Sequence, residues 1–467
     1  MGITAELARF AAAVAVPGLP PEVVTRARLL VLDLVGNIVR ARHDAESTQA
    51  LLGAARALGC GAGHAAVFGD PSRWTPAGAA FLNGAFAHSL DFDDSHAAAV
   101  LNPGATVIPA ALAAGEMAGA SGADVLAGIV AGYEVTCRVA LALPARAHYD
   151  RGFHPSATCG AFGAATAAAR VFGLDAAATE SALGIALSQS AGSLQFLANG
   201  AWTKRFQVGW AAMAGLAAAT LAAQGFRGAS AALEGQHGFL RAYAPDPEPE
   251  RAVAGLGTTF ELMHTGVKPY PSCRYGHAGI DAALALRAAH DISAAAIESV
   301  TYGLSQAGVA MIGEPARQKT EPQSVVDAQF SGPFVLACAL ATGAMEWDSY
   351  RQLGDPAIRG LMAKIRCVHD AGMEALGPMA GRVSIALTAA AGGGRYSQIV
   401  AVPIGEPENF PSADELRGKF DALATPVLGP DGTGRLAGAV LAMDSLVDIA
   451  RMTRLGTPAL SARLAGE

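Results

Sequence analysis

Residues 88–96, HSLDFDDSH, place two histidines and three aspartates within nine positions. Side chains of these types can transfer protons, bind a metal ion or cap a helix end. On a helix, His88, Asp91 and Ser95 would share one face, because they lie at i, i+3 and i+7. No HExxH or similar motif supplies further ligands, so a metal site is not predicted. In the structural alternative the segment only ends a helix, with Asp93 or Asp94 solvated or capping.

Two further segments contain single titratable side chains that suit catalysis. His154 precedes a proline and is therefore expected outside a helix interior, where it can act as a base near neutral pH. Lys204 is one of only five lysines and lies just before a long apolar helix, whose N-terminus attracts anions. Each residue has an ordinary alternative as an exposed surface side chain.

The segment 264–289, HTGVKPYPSCRYGHAGIDAALALRAA, is the hardest to explain as structure alone. Its two prolines exclude a regular helix and predict an extended loop that leads into a helix near His277. A helix N-terminus disfavours an imidazolium, so His277 is expected to be neutral and able to accept a proton. Lys268 and Arg274 lie beside it and suit a carboxylate substrate.

Composition excludes several classes of protein. The chain has 467 residues, which exceeds the usual size of a single core, so two domains are expected. With 52% hydrophobic and 16% charged residues it is too apolar for disorder. The net charge of −7 and the absence of a basic run argue against a nucleic-acid partner. Six scattered cysteines without CxxC spacing indicate reduced thiols rather than a zinc site.

The sequence also predicts a cytoplasmic protein that does not bind a membrane. The N-terminus lacks the basic and apolar regions of a signal peptide. The most apolar stretch, 125–143, carries Glu134 and Arg138 four residues apart, a spacing typical of a helix-stabilising pair in a soluble bundle.

Apolar periodicity predicts a mainly α protein with an inserted α+β domain. Before residue 265 the pattern is helical, and its alanine and glycine content allows close helix packing; the clearest helices are predicted at 20–41, 104–120 and 207–226. Strands are predicted at 297–305, 382–390 and 395–403, between them helices at 331–344 and 355–365, and after them helices at 412–424 and 436–452. We therefore predict a discontinuous helical domain, 1–265 with 403–467, and an α+β lid domain, 266–402.

Five segments resemble the MmgE/PrpD family in order and spacing: HSLDFDDSH, GFHPSATCGAFGAA, TKRFQVGWAA, KPYPSCRYGHAGIDAAL and GEPENF…ELRGKF. This family includes 2-methylcitrate dehydratase, cis-aconitate decarboxylase and iminodisuccinate epimerase. The resemblance implies an all-helical bundle domain with a smaller lid domain and an active site between them. It also implies a homodimer, a small di- or tricarboxylate substrate, and no metal or organic cofactor.

The resemblance and the residue chemistry together define a predicted site. Four residues are assigned to catalysis: Asp91, His154, Lys204 and His277. Five more are assigned to substrate binding: Ser95, Asn102, Tyr149, Lys268 and Arg274.

Two positions depart from the family pattern. Asn102 stands where decarboxylase-like members carry a histidine, and Phe334 stands where a tyrosine is expected at the site. Neither side chain is an ordinary acid at neutral pH. The usual protonation of a leaving hydroxyl or a carbanion therefore lacks its expected donor.

Epimerisation avoids this difficulty, because it requires only that a proton α to a carboxylate is removed and returned. The carbanion would be stabilised by Lys204, Lys268 or Arg274, with bases drawn from His154, Lys204 and His277. The sequence thus favours a cofactor-independent epimerase similar to iminodisuccinate epimerase. The first alternative is a lyase, either a 2-methylcitrate-like dehydratase or a cis-aconitate-like decarboxylase, in which water or Tyr149 replaces the missing acid. The second is a catalytically silent carboxylate-binding dimer.

Overall fold

The computed structural model describes residues 2–458. The chain divides into two compact units, Met1–Val267 with Ser412–Glu467, and Lys268–Pro411. The second boundary lies after Pro411 rather than after the predicted residue 402. Residues 403–411 stay with the second unit because Ile404 donates its N–H to the Asp281 carboxylate there, and Glu406 pairs with Arg274.

The first part of the chain is mainly helical. Its α-helices are α1 (Ile3–Ala13), α2 (Pro21–Asp44), α3 (Thr48–Ala57), α4 (Pro76–Ala87), α5 (Gly104–Ala118), α6 (Gly122–Ala142), α7 (Ala145–Asp150), α8 (Pro155–Thr158), α9 (Gly160–Val171), α10 (Ala176–Leu187), α11 (Thr203–Ala223) and α12 (Phe239–Tyr243). Two short antiparallel pairs accompany them, β1 (Gly61–Ala66) with β2 (Arg73–Trp74) and β3 (Ser95–His96) with β4 (Thr265–Gly266).

Small residues allow the central helices to pack closely, as the composition predicts. A Cβ atom at Gly163 of α9 would lie 1.6 Å from the Thr136 hydroxyl oxygen of α6. A Cβ atom at Gly132 of α6 would lie 2.9 Å from the Gly163 carbonyl oxygen. Alanine at either position would force the two helices apart, so the core depends on glycine here.

Among the described residues, two helices are long and apolar enough to cross a membrane when judged by length and composition alone: α6 and α11. The apolar window of α6 is 94% buried inside the protein, which is also typical of a core helix. In α6 the predicted pair forms, with Arg138 Nε 3.0 Å from Glu134 Oε2 and both side chains fully buried. The window of α11 is 56% buried, and Phe206 and Trp210 are exposed on it.

The second unit combines helices with one four-stranded sheet. Its α-helices are α13 (His277–His290), α14 (Gln306–Gly308), α15 (Ala316–Thr320), α16 (Val325–Gln329), α17 (Gly332–Thr342), α18 (Pro356–Met362) and α19 (Ala371–Leu376). Its strands are β5 (Ile297–Leu304), β6 (Ile365–His369), β7 (Gly381–Leu387) and β8 (Arg395–Val400), in the order β6-β5-β7-β8. Strands β5 and β6 are parallel, and the other pairs are antiparallel.

The C-terminal segment then returns to the first unit. Helix α20 (Ala413–Leu441) begins with a capping box of Ser412 and Glu415, and it is kinked at Gly429 between two prolines; α21 (Ala450–Thr453) follows. The predicted mainly α fold with an inserted α+β unit is confirmed. The separate helices predicted at 412–424 and 436–452 are instead parts of the kinked α20 and the short α21.

Helix α20 contributes a buried cation to the first unit. Lys419 Nζ lies 2.6 Å from Asp33 Oδ1 of α2 and donates to the Phe92 carbonyl oxygen at 2.9 Å. The Lys419 side chain is 7% exposed and that of Asp33 is 1% exposed. Burial of an ion pair is costly, but removal of one partner leaves an uncompensated buried charge and costs more.

We predict that Lys419→Met lowers the free energy of unfolding by about 3–5 kcal/mol, because Asp33 loses its cation. Thermal and urea unfolding of the purified variant measure the change. The double variant Asp33→Asn/Lys419→Met is the matched control and should recover part of the loss. Equal destabilisation in both variants would contradict an electrostatic role for Lys419.

Candidate active site

The segment 88–94 is a loop rather than a helix. Helix α4 ends at Ala87, and His88 is its C-cap residue. The predicted shared helical face of His88, Asp91 and Ser95 is therefore wrong. Asp91 has a φ of 54°, in the left-handed region that residues other than glycine rarely adopt. Backbone strain of this kind is stored where the surrounding structure fixes it, and it is frequent at active sites.

Asp93 and Asp94 are buried, which corrects the expectation that they are solvated or cap a helix. Asp93 Oδ2 lies 2.6 Å from His88 Nδ1. The Tyr133 hydroxyl donates to Asp94 Oδ2 at 2.7 Å, and the Gly104 N–H donates to Asp94 Oδ1 at 3.2 Å. Burial raises the pKa of Asp94 to about 8; the Tyr133 hydrogen bond opposes this shift and the neighbouring Asp93 adds to it. The loop therefore needs specific partners from several helices.

Two side chains from distant parts of the chain fix the Phe92 backbone. Asn37 of α2 donates its Nδ2 to the Phe92 carbonyl oxygen at 2.9 Å, as does Lys419 of α20. The Lys419 ammonium also lies 3.7 Å from the centre of the Phe92 ring, which is a cation–π contact. These contacts hold the loop immediately after Asp91.

Asp91 and Lys204 form the first functional pair. Lys204 lies in the first turn of α11, and its Nζ is 2.5 Å from Asp91 Oδ1. The Lys204 side chain is 31% exposed and that of Asp91 is 19% exposed, so the pair is accessible to a small molecule. Burial lowers the pKa of Lys204, but Asp91 and Asp93 outweigh burial and the net shift is upward. Lys204 is therefore an ammonium that can bind a carboxylate, not a neutral base.

His154 is the second functional group, and its tautomer follows from its partner. Gln207 Nε2 donates to the Ser193 carbonyl oxygen, and the Ser193 N–H donates to Gln207 Oε1. Gln207 Oε1 is thus an acceptor, so His154 Nδ1, 3.2 Å away, carries the proton. Burial lowers the pKa of His154 well below its usual value, and His88 and Lys204 lower it further. His154 is accordingly a neutral imidazole with its lone pair on Nε2.

Three residues assigned to substrate binding lie in the first unit. Asn102 donates its Nδ2 to the Asp94 carbonyl oxygen and its N–H to Ser156 Oγ, so its amide helps to hold the buried loop. Ser95 pairs with Gly266 between β3 and β4. Tyr149 is half-buried on α7, and no described contact joins it to the Asp91–Lys204 pair.

The second unit contains the other predicted site residues. Lys268 is 6% exposed, and His277 is the first residue of α13, where its Nε2 lies 3.3 Å from the Ser272 carbonyl oxygen. Because a carbonyl can only accept, His277 Nε2 carries a proton. Arg274 is paired with Glu406, with its Nε 3.2 Å from Glu406 Oε1, and its role in substrate binding stays a prediction.

Phe334 does not occupy an accessible catalytic position. Its ring is fully buried in the second unit and stacks on Tyr350 at 5.7 Å between ring centres. A hydroxyl there would face a packed core. The interpretation of Phe334 as a missing acid of the site is therefore wrong, because its side chain is buried.

One group of side chains has a composition that can bind a metal ion: His96, Glu261 and His264, whose ligand atoms lie within 4.8 Å of one another. His96 Nε2 is 3.0 Å and His264 Nδ1 is 3.2 Å from Glu261 Oε2. However, the Ala99 N–H donates to His96 Nδ1 at 3.1 Å. That bond places the His96 proton on Nε2, where a metal ion would have to bind. The group is satisfied as a hydrogen-bonded cluster that links β3 to the segment before β4.

Comparison with known proteins matches both parts of the chain to one family. Residues 5–252 match the MmgE/PrpD N-terminal domain, and residues 270–444 match the MmgE/PrpD C-terminal domain. The chain belongs to the MmgE/PrpD family.

Curated relatives are similar over most of their length. The chain is 28% identical to "Cis-aconitate decarboxylase-like protein oryM" of Aspergillus oryzae, over 97% of each chain. It is 28% identical to "Cis-aconitate decarboxylase" of Aspergillus terreus, over 97% of this chain and 96% of the relative. It is also 28% identical to "Cis-aconitate decarboxylase" of Homo sapiens, over 83% and 81%. These names favour the lyase alternative over the epimerase that the sequence favours.

The groups that sequence reasoning missed are the buried ones. His88, Asp93, Asp94, Tyr133 and Gln207 fix or surround the predicted residues. Only the density of ionisable residues in 88–96 was a signal for the first three. Tyr133 and Gln207 lie inside ordinary helices, and the sequence offered no signal for either.

We predict that Asp94→Asn becomes more stable relative to the wild type as the pH rises. Asp94 keeps its proton in the folded state up to a pKa of about 8, whereas the unfolded chain releases it near 3.8. Wild-type stability therefore falls between these values and levels off above them, while an amide does not titrate. Melting temperatures of both proteins at about pH 5.5 and about pH 8 measure the difference. A difference between the two proteins that does not change with pH would show that Asp94 does not titrate in this range.

Proposed function

We propose that this protein is a carbon–carbon lyase that removes CO2 from a small tricarboxylate of the cis-aconitate type. The observation that carries the proposal is the arrangement of an accessible Lys204 ammonium and a neutral His154 in the first unit, in a chain whose full-length relatives carry the decarboxylase name. Epimerisation has no support of this kind beyond the sequence argument.

The chemistry requires charge stabilisation and one proton. The bond between carbon and the departing carboxylate breaks, CO2 leaves, and the electron pair remains on carbon, delocalised over the adjacent double bond. A cation near a retained carboxylate stabilises this charge, and Lys204 is the group that we assign to it. Asp91 fixes the position of the ammonium at 2.5 Å.

A new C–H bond must then form on the carbanion. We assign this proton transfer to Nε2 of His154, which takes a proton from water and gives it to carbon. The hydroxide left behind combines with the released CO2 as bicarbonate. Its lowered pKa makes the transient imidazolium a strong donor, and Gln207 fixes the ring through Nδ1. A proton donor is therefore available without an acid at Asn102 or Phe334. Lys268 and His277 of the second unit remain predicted contributors through the family resemblance.

We predict that the purified protein converts cis-aconitate to CO2 and a five-carbon dicarboxylate, and that Lys204→Met and His154→Gln each lower turnover by at least roughly 100-fold. Proton NMR with a CO2 assay follows the reaction. Lys319→Met, which changes a lysine of the second unit that donates to the Met311 carbonyl oxygen, is the control and should retain turnover.

Other outcomes would separate the alternatives. Deuterium incorporation and interconversion of iminodisuccinate stereoisomers in D2O, without CO2 from cis-aconitate, would establish the epimerase and overturn the proposal. Binding of tricarboxylates without turnover or exchange would establish a silent binding protein.

A further inference from the structure

The side chain of His88 is fully buried, although an imidazole is polar and titratable. Its Nδ1 lies 2.6 Å from Asp93 Oδ2, and both side chains have no exposed surface. Because the carboxylate accepts, Nδ1 carries a proton. Two atoms of the pair, His88 Nε2 and Asp93 Oδ1, are buried without a hydrogen-bond partner among the described residues.

The two buried atoms without a partner reduce the stability of the fold, and a purely structural role for the pair would not explain why they are kept. A buried polar atom without a partner costs about 1–3 kcal/mol, and an apolar pair of similar shape would avoid this cost. An ionisable pair that is kept under these conditions is a candidate for a functional role.

His88 packs directly against the assigned proton-transfer residue. The rings of His88 and His154 are stacked, with 5.6 Å between their centres and 30° between their planes. Phe196 contacts the His154 ring edge-to-face at 5.4 Å, and Gln207 holds Nδ1. Three neighbours thus fix the plane of the His154 ring and the direction of Nε2.

The titratable neighbours of His154, His88 and Lys204, both lower its pKa. It is faced by His88 from the end of α4, by Lys204 and Gln207 from α11, and by Phe196 from the 3₁₀ helix Leu194–Ala198. His88 and Lys204 both disfavour a positive charge on His154, and Gln207 alone favours it. The carboxylates Asp91 and Asp93 are paired with Lys204 and His88, respectively.

We propose that His88, oriented by Asp93, is a positioning residue of the active site that fixes the His154 ring and keeps it neutral between turnovers. This inference rests on the role of His154 in the proposed function. His88 does not touch the substrate in this account, because it acts only through His154. Asp93 acts one step further away, by fixing the tautomer and orientation of His88.

The decisive variant is His88→Phe, which retains an aromatic ring for stacking but removes the titratable nitrogens. Titration of the His154 imidazole by NMR, assigned with the His154→Gln spectrum, should show its midpoint moving to higher pH than in the wild type. In the tricarboxylate assay kcat should fall by up to about 100-fold, since small misplacements of a reacting group have effects of this size, with KM little changed.

The matched control is His148→Phe, which removes another buried imidazole of the same unit. His148 is bonded to Thr158 and to the Tyr243 carbonyl oxygen rather than to His154. The His154 midpoint should stay in place in this control, whatever happens to kcat. If His88→Phe does not fold, His88→Gln serves the same two measurements.

An unchanged His154 midpoint in a folded His88 variant would overturn the proposal, as would an unchanged kcat. The NMR arm needs no substrate. If the protein proves inactive on every tricarboxylate, the proposed function fails, while the coupling of His88 to His154 is still decided by the titration.

Discussion

The burial of ionisable groups in the loop 88–94 is the constraint on which the rest of the first unit depends. Carboxylates and an imidazole cannot enter a packed helical core without partners, because each unpaired polar group costs more than ordinary packing recovers. Helices α2, α6, α11 and α20 each supply a partner, and those side chains are Asn37, Tyr133, Lys204 and Lys419. Asp91, the loop residue with an accessible carboxylate, is thereby held in a strained conformation beside Lys204.

This constraint gives a physical reason for the discontinuous helical unit. Lys419, which follows the inserted second unit in sequence, supplies the cation for Asp33 and a donor for the Phe92 carbonyl oxygen. Without helix α20 the loop would lose the contacts of Lys419 with Phe92, and Asp33 would be buried without a counter-charge. The C-terminal segment is thus part of the support of the site, although none of its residues belongs to the predicted catalytic set.

Much of the fold could be predicted because the periodicity of apolar residues and the prolines and glycines at element ends are local signals. Helix α2, the helix α13 after the two prolines, and the hairpin of β7 and β8 around the glycines all follow such signals. Strand β6 was missed because five residues next to a helical pattern carry too little information, and its partner β5 is about 65 positions away in sequence.

The sequence allowed the residue types of the site to be predicted, but not their protonation states or partners. The chemical types of Asp91, His154 and Lys204 pointed to proton transfer and carboxylate binding, but their states depend on neighbours distant in sequence. Lys204 was a candidate base until its pairing with Asp91 showed it to be an ammonium. Arg274, which stays a predicted substrate-binding residue, proved to be paired with Glu406. Asn102 and Phe334 were interpreted as missing acids, yet one supports a loop and the other fills a core.

In the proposed reaction, Lys204 binds a substrate carboxylate beside His154. A crystal structure of the protein with tricarballylate, a saturated tricarboxylate that lacks the double bond needed for decarboxylation, tests this claim most directly. The account predicts a ligand carboxylate about 2.7–2.9 Å from Lys204 Nζ, with His154 Nε2 facing the carbon chain. A bound ligand with no carboxylate at Lys204, and with His154 directed away from it, would contradict the account.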